Sequence, residues 1–118
     1  MPSPRRTEIV LIDLGSIPNE VVGHEQANKR PCLVIQTLAY SQLAVVVPVT
    51  TQVPPSYIHS IVKLVQGTGG LPADSHALCH QIRTVSYKRV LKSYGSVPNR
   101  DFNKVLTVLA DFLDIEYI

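Results

Sequence analysis

The 118-residue sequence has no tryptophan, one methionine, two cysteines and only 17% charged residues. Each shortage excludes something. Two cysteines cannot build a disulfide framework, and neither Cys32 nor Cys79 belongs to a CxxC pair or a zinc-type spacing. Both sit in apolar, strand-like runs and read as buried free thiols, which suits a reducing cytoplasm. A net charge of only +2 is too weak to establish nucleic-acid binding, which requires local clusters. No apolar run reaches the ~18 residues that cross a bilayer. Residues 1–6, Met-Pro-Ser-Pro-Arg-Arg, lack the apolar segment of a signal peptide. These readings place the chain in the cytoplasm, away from membranes.

Apolar residues are plentiful, at 45%. A chain of this length forms one domain and buries roughly two-thirds of its unfolded surface. Residues 1–6, with two prolines and two arginines, read as a flexible tail, and residues 7–118 as a single domain. Basic residues gather at Arg5-Arg6, at Lys29-Arg30, and at Lys88-Arg89 with Lys92. Taken alone, these are solvated surface charge.

Patterning predicts strands over 7–14, 31–38, 43–51, 60–65, 75–86 and 90–97. A long loop over 15–29 is punctuated by Gly15, Pro18, Asn19 and Gly23, and loops of that length tend to be functional or mobile. Leu43 to Val49 is apolar throughout, so both faces of that strand are expected to be buried. Pro48 cannot donate to a ladder and is expected at an edge or bulge. Gly67-Thr68-Gly69-Gly70 is a turn, not a phosphate loop, because no Lys-Ser/Thr and no helix follows. The alternation of 75–86 breaks: Ala77 and Cys79 share a face that Ile82 misses. A kink near His80-Gln81 repairs the register and makes His80, Gln81 and Arg83 site candidates. Over 99–115, Phe102, Val105, Leu106, Leu109, Phe112 and Leu113 form one helical apolar stripe, with no Ser or Thr cap before it. The fold class is mainly β with α: a small, partly closed β-barrel carrying a C-terminal helix.

Bland readings exist for each polar group. His76 and His80 are four apart, which on a strand means ~13 Å, too far to share an ion; no metal site and no cofactor is expected. His59 is an exposed strand residue. Glu25 and Arg30 could be a surface ion pair, Thr50-Thr51-Gln52 a polar strand end, and Gln81-x-Arg83-Thr84 a solvent face. Their joint occurrence shifts the balance, since each group ends or kinks a different strand, the arrangement that converges on a cleft.

At this point the sequence resembles the MazF/PemK toxins over about residues 7 to 115. The matching blocks run in the family's order: Thr7 to Leu14; Gly23-His24-Glu25-Gln26 with Lys29 to Ile35; Val47 to Gln52; and Leu78-Cys79-His80-Gln81-Ile82-Arg83-Thr84-Val85. The resemblance implies a homodimer of SH3-like barrels and a toxin of a type II toxin–antitoxin pair. It further implies metal-independent, sequence-specific cleavage of single-stranded RNA. There a ribose 2′-hydroxyl attacks its own phosphate, giving a cyclic phosphate and a 5′-hydroxyl. By the same resemblance Arg30 holds the phosphate, Thr50 donates to it, and Glu25 is the candidate base. His24, Gln26, Thr51, Gln52, His80, Gln81 and Arg83 line the RNA path, and the partner is an antitoxin with a disordered acidic tail. The sequence departs from one branch of the family, which carries an Arg and an Asp where this chain has Leu78 and His80. Two alternatives follow. One is a gyrase poison of the CcdB type, disfavoured by the absence of Trp and the Glu116-Tyr117-Ile118 ending. The other is a weakly catalytic barrel that binds an antitoxin.

Overall fold

The computed structural model describes residues 3–15 and 28–116. These residues form seven strands and one α-helix: β1 Glu8–Asp13, β2 Lys29–Leu38, β3 Leu43–Thr50, β4 Ile61–Leu64, β5 Ser75–Leu78, β6 Arg83–Ser86, β7 Val90–Ser96 and α1 Asn99–Phe112. All pairings are antiparallel, in the order β4-β5-β3-β2-β1-β7, with β6 also paired to β3. The sheet curls toward a barrel without closing, and β4 and β7 are its free ends. This is the mainly β fold with a C-terminal helix that the sequence pattern predicts.

The period-2 alternation of β1, β2 and β3 feeds two separate cores. Ile9, Leu33, Val47 and Val49 face one side, where Phe102, Val105 and Leu109 of α1 cover them. Val10, Ile12, Cys32, Val34, Ala44 and Val46 face the other, where Val85, Tyr87 and Val90 close over them. The continuous apolar run of β3 follows from this: the strand is buried on both faces.

Pro48 corrects an expectation. It sits neither at an edge nor at a bulge but fully buried in the central strand, opposite Cys32 of β2. On its other flank β3 changes partner there: the last step with β6 is Val46–Arg83, and the first with β5 is Val49–Ala77. No register partner faces Pro48 on that flank, so a residue without an N–H is tolerated. The bulge in this part of the sheet lies instead in β2, between Val34 and Gln36.

The kink predicted near His80-Gln81 is a 3-10 turn over Cys79–Gln81, which separates β5 from β6. It restores the broken alternation, because Ile82 packs on the same core as Ala77 and Cys79. Both cysteines are free and buried. The turn over Thr68–Gly70 approaches β7 so closely that a Cβ on Gly70, at φ 81°, would lie 2.7 Å from the Tyr94 carbonyl oxygen.

Helix α1 starts at Pro98 without a side-chain cap. It ends three residues earlier than the pattern suggests. Asp114 turns left-handed (φ 58°), Ile115 N–H donates to Ala110 O at 2.9 Å, and Asp114 N–H to Asp111 O at 3.1 Å. That pair of bonds is a Schellman stop with Asp in the place Gly usually takes. The end of the apolar stripe is therefore left in solvent: Phe112 and Leu113 are about half exposed, at 47% and 49%. At the other terminus, residues 3–6 are tied down. Pro4 is buried, and Arg6 donates to Ile35 O and lies over the Phe102 ring, 4.9 Å from its centroid.

Candidate active site

Polar residues collect where the two-sided burial runs out, at one end of strands β1, β2, β3 and β5. Arg30 of β2 pairs with Ile12 of β1. The β2–β3 register steps through Val34–Val46, Leu33–Val47 and Cys32–Pro48. Arg30 lies two residues beyond Cys32 and Thr50 two beyond Pro48, so strand alternation puts both on the face of that last pair. Thr50 in turn pairs with His76 of β5, and His76 with Lys63 of β4. Directly opposed residues share a face, so Ile12, Arg30, Thr50, His76 and Lys63 all lie on one face of the sheet. Arg83 joins the same face through its pairing with Val46.

Thr50 is 8% exposed, and its Oγ1 accepts the Gln52 N–H at 3.2 Å. That bond turns the chain out of β3 and leaves Thr51 and Gln52 exposed. A cleft of about 530 Å³ opens beside Thr50, lined also by Gln52, Tyr57, Leu78, His80 and Gln81 and floored by the segment Val53-Pro54-Pro55. Thr50, Gln52, His80 and Gln81, four residues singled out by sequence, thus share one wall. Arg30, Thr51 and Arg83 are not part of that lining; the two arginines are half-buried, on the sheet face that Thr50 shares. His24, Glu25 and Gln26 lie outside the described residues. The described residues on either side are bonded to each other: Asn28 N–H donates to Gly15 O at 2.7 Å and Leu14 N–H to Asn28 O at 2.9 Å.

Cys32 reports the electrostatics between the two arginines. Its Sγ donates to the Arg30 carbonyl at 3.6 Å. Burial pushes its thiol up to about 12, although the charge of Arg83 pulls the other way. Loss of hydration at this point outweighs a nearby cation. Cys79, on the helix side, is likewise raised by burial, to about 11.

His80 is more tightly held than its place in a turn requires. Its Nδ1 is 2.8 Å from Ser60 Oγ, and its ring meets Phe112 edge-on, with centroids 6.5 Å apart. His59 is exposed, as predicted, but stands in the loop before β4 and not in a strand. His76 carries a buried Nδ1 with no hydrogen-bond partner. Among the described residues no group of three His, Cys, Asp or Glu side chains is placed to hold a metal ion, and no helix is long and apolar enough to cross a membrane.

Sequence reasoning missed Ser60 and Tyr57 as parts of this site, while Leu78, singled out as a departure from one branch of the family, does line the cleft. A signal for Ser60 existed. It immediately precedes β4, and the β4–β5 register extended by one step sets it against Cys79, the first residue of the kink. Cys79 N–H does donate to Ser60 O at 3.0 Å.

Residues 5–113 match the model of the family described as PemK-like, MazF-like toxin of type II toxin–antitoxin system. Endoribonuclease EndoA of Bacillus subtilis is 30% identical over 104 residues, 86% of each chain. Among solved structures, MazF from Deinococcus radiodurans superposes with a TM-score of 0.78 at 22% identity, covering 98% of this chain and all of the other. An endoribonuclease in complex with its cognate antitoxin, from a mycobacterial species, superposes with a TM-score of 0.74 at 21% identity, over 98% and 99% of the two chains.

Proposed function

Because this chain belongs to the PemK-like, MazF-like toxins of type II toxin–antitoxin systems and is an endoribonuclease, we propose that it cuts single-stranded RNA at a short preferred sequence, without a metal ion, from the end of the sheet that carries Arg30 and Thr50. The observation that carries this reading is the shared face. A permanent cation, Arg30, and the Thr50 hydroxyl lie on the same face at one end of the sheet, Thr50 at the wall of a cleft, beyond the apolar residues that close the other end.

In the proposed reaction the 2′-oxygen bonds to phosphorus as the bond to the 5′-oxygen breaks. The products are a 2′,3′-cyclic phosphate and a 5′-hydroxyl. Negative charge grows on the phosphorane oxygens, and an Arg fork answers it with two parallel hydrogen bonds. Arg30 takes that part and Thr50 adds a third donor. Gln52 and Gln81 on the cleft wall offer amide groups to base edges, and unpaired RNA is suited to such reading because its bases can be splayed apart. Thr51, Arg83, His24, Gln26 and His80 complete the RNA path in this reading. The 2′-hydroxyl also needs a base, a part for which Glu25 and His80 compete. We further infer a homodimer, working in the cytoplasm, silenced by an antitoxin whose acidic, disordered tail folds on binding.

The test is incubation of a long mixed-sequence RNA with the protein in EDTA, followed by sequencing and end-group analysis of the fragments. Cuts at one short sequence, bearing cyclic phosphate and 5′-hydroxyl ends and slowed about 10²–10³-fold in Arg30→Ala, are expected. Cleavage at an undiminished rate in Arg30→Ala sinks the assigned mechanism, and gyrase-linked DNA breaks without RNA cuts would favour the gyrase reading.

A further inference from the structure

The turn over Cys79–Gln81 is fastened to the residue before β4 at two points. The Cys79 N–H donates to the Ser60 carbonyl at 3.0 Å, and the Ser60 hydroxyl meets His80 Nδ1 at 2.8 Å. One residue thus fixes both the backbone that presents His80 and the ring itself. Phe112 supplies the third restraint, its ring edge-on to the imidazole at 6.5 Å between centroids. Phe112 is also where the apolar stripe of α1 stops being covered, so its exposed ring is placed for contact with the turn instead of the core. His80 itself lines the cleft with Thr50, Gln81 and Tyr57. A partly buried imidazole needs a partner for its ring nitrogen in any role, but a histidine used only for packing needs no place on the wall of a cleft. A histidine that moves a proton needs both, because the bond at one ring nitrogen sets what the other can do.

We propose that His80 is the base that takes the 2′-hydroxyl proton and that Ser60 is its positioning residue. This rests on the RNA-cleaving reading above. In the working tautomer Nδ1–H donates to Ser60 Oγ, which leaves the lone pair of Nε2 for the substrate. As the 2′-oxygen bonds to phosphorus, its proton passes to Nε2, and the ring becomes an imidazolium. The bond from phosphorus to the 5′-oxygen breaks, and the 5′-oxygen takes a proton from water. Ser60 Oγ keeps accepting from Nδ1–H throughout and so steadies the charged ring. Arg30 and Thr50 stay on the phosphate and take no proton.

Other titratable groups lie on the elements next to the pair. His59 and Asp111 line a small hollow next to Ser60 and Phe112. Tyr57 lies on the cleft wall, His76 is on β5, and Lys63 on β4 is 3.9 Å from Asp74. None of these is bonded to the His80 ring in the way Ser60 is.

The experiment is single-turnover cleavage of one end-labelled RNA in EDTA across pH 5 to 9. It compares the unaltered protein with His80→Asn, Ser60→Ala, Ser60→Thr and Glu25→Gln. The unaltered protein should slow as pH falls, because a protonated imidazole cannot take the 2′-hydroxyl proton. His80→Asn should lose about 10²–10⁴-fold and with it that acid limb. Ser60→Ala should be about tenfold slower, the effect of one neutral hydrogen bond, with the limb displaced. Ser60→Thr, which keeps a hydroxyl, should recover most of the rate. If His80→Asn does not fold, the Ser60→Ala and Ser60→Thr comparison decides, together with imidazole ¹⁵N shifts of the unaltered protein, which report whether Nδ1 carries the proton. An unchanged rate and limb in His80→Asn overturns the proposal while leaving RNA cleavage intact. So does a limb that vanishes in Glu25→Gln alone, or activity that falls as pH rises. If the unaltered protein cuts no RNA, the underlying reading fails first and the proposal falls with it.

Discussion

The two ends of a single sheet face do opposite work. Toward one end, Val34, Ala44 and Val46 close against Val85, Tyr87 and Val90 in a core of buried, mostly aliphatic side chains. Toward the other, the same strands present Arg30 and Thr50 beside a cleft. The strands do not change between the ends; the partner of β3 does. β6 pairs with Leu43 to Val46 and β5 with Val49 and Thr50, with Pro48 at the joint. Where β6 and the chain after it fold over the face, apolar residues are required. Where β5 and its kink stand in their place, water and polar groups enter. Stability and chemistry are thereby separated along one strand by only a few residues.

The sharpest way to break this contrast is to truncate two residues that oppose each other across it. Ile12 and Arg30 are paired in the β1–β2 ladder, and Ile12 is fully buried. Ile12→Ala should cost about 2–5 kcal/mol of stability, the transfer term plus an unfilled cavity. Its activity per folded molecule should stay near that of the unaltered protein. Arg30→Ala should lower kcat by about 10²–10³-fold, the effect of removing one charge-stabilising donor, with little change in melting temperature. Urea titration and single-turnover cleavage separate the two outcomes. If Arg30→Ala melts as badly as Ile12→Ala, Arg30 belongs to the packed end and the division is drawn in the wrong place.

A reciprocal exchange within β3 sharpens it further. Val46 and Thr50 lie four residues apart on the same face, at the closed and open ends. Val46→Thr buries a hydroxyl in a mostly aliphatic core and should cost about 1–3 kcal/mol. Thr50→Val keeps the shape but removes the donor and also the acceptor of the Gln52 N–H. It should cost about 1 kcal/mol of stability and cleave about tenfold more slowly. Denaturant midpoints and cleavage rates measured on the same two preparations check both halves.

Much of this contrast is visible in the residue pattern, and the part that is not has a physical cause. The strands, the helix and the kink at His80-Gln81 follow from periodicity, because a slipped register would turn a whole apolar face outward. Thr50, Gln52, His80 and Gln81 end or kink apolar runs, and the structure brings these four to one cleft; their roles toward RNA come from the family resemblance and not from the pattern. Pro48 was misplaced because a rule about one strand cannot foresee that the strand changes partners midway. The helix was drawn too long because its apolar stripe runs on past Phe112, while the left-handed Asp114 that stops it carries no Gly signal. Ser60 was missed for a similar reason: its partner, His80, is twenty residues away and meets it only through the β4–β5 ladder.

The smallest effect tests where the boundary between the two ends lies. Cys32 stands between Arg30 and Val34 on the same face, and burial pushes its thiol from the usual 9.0 up to about 12. The folded chain therefore keeps this proton at pH values where the unfolded chain has lost it. Below about pH 9 the group adds no pH dependence. From there up toward pH 12 the unfolded state binds fewer protons, so stability falls as pH rises, by at most about 1.4 kcal/mol per pH unit from this group. Cys79, raised to about 11, adds a similar slope over a narrower window. Cys32→Val should flatten the decline measured by urea unfolding between pH 9 and 10, whatever it does to stability at pH 7, because the readout is the slope and not its level. An unchanged slope would mean that water reaches Cys32 past Arg30, and the dry end of the face would then begin at Val34.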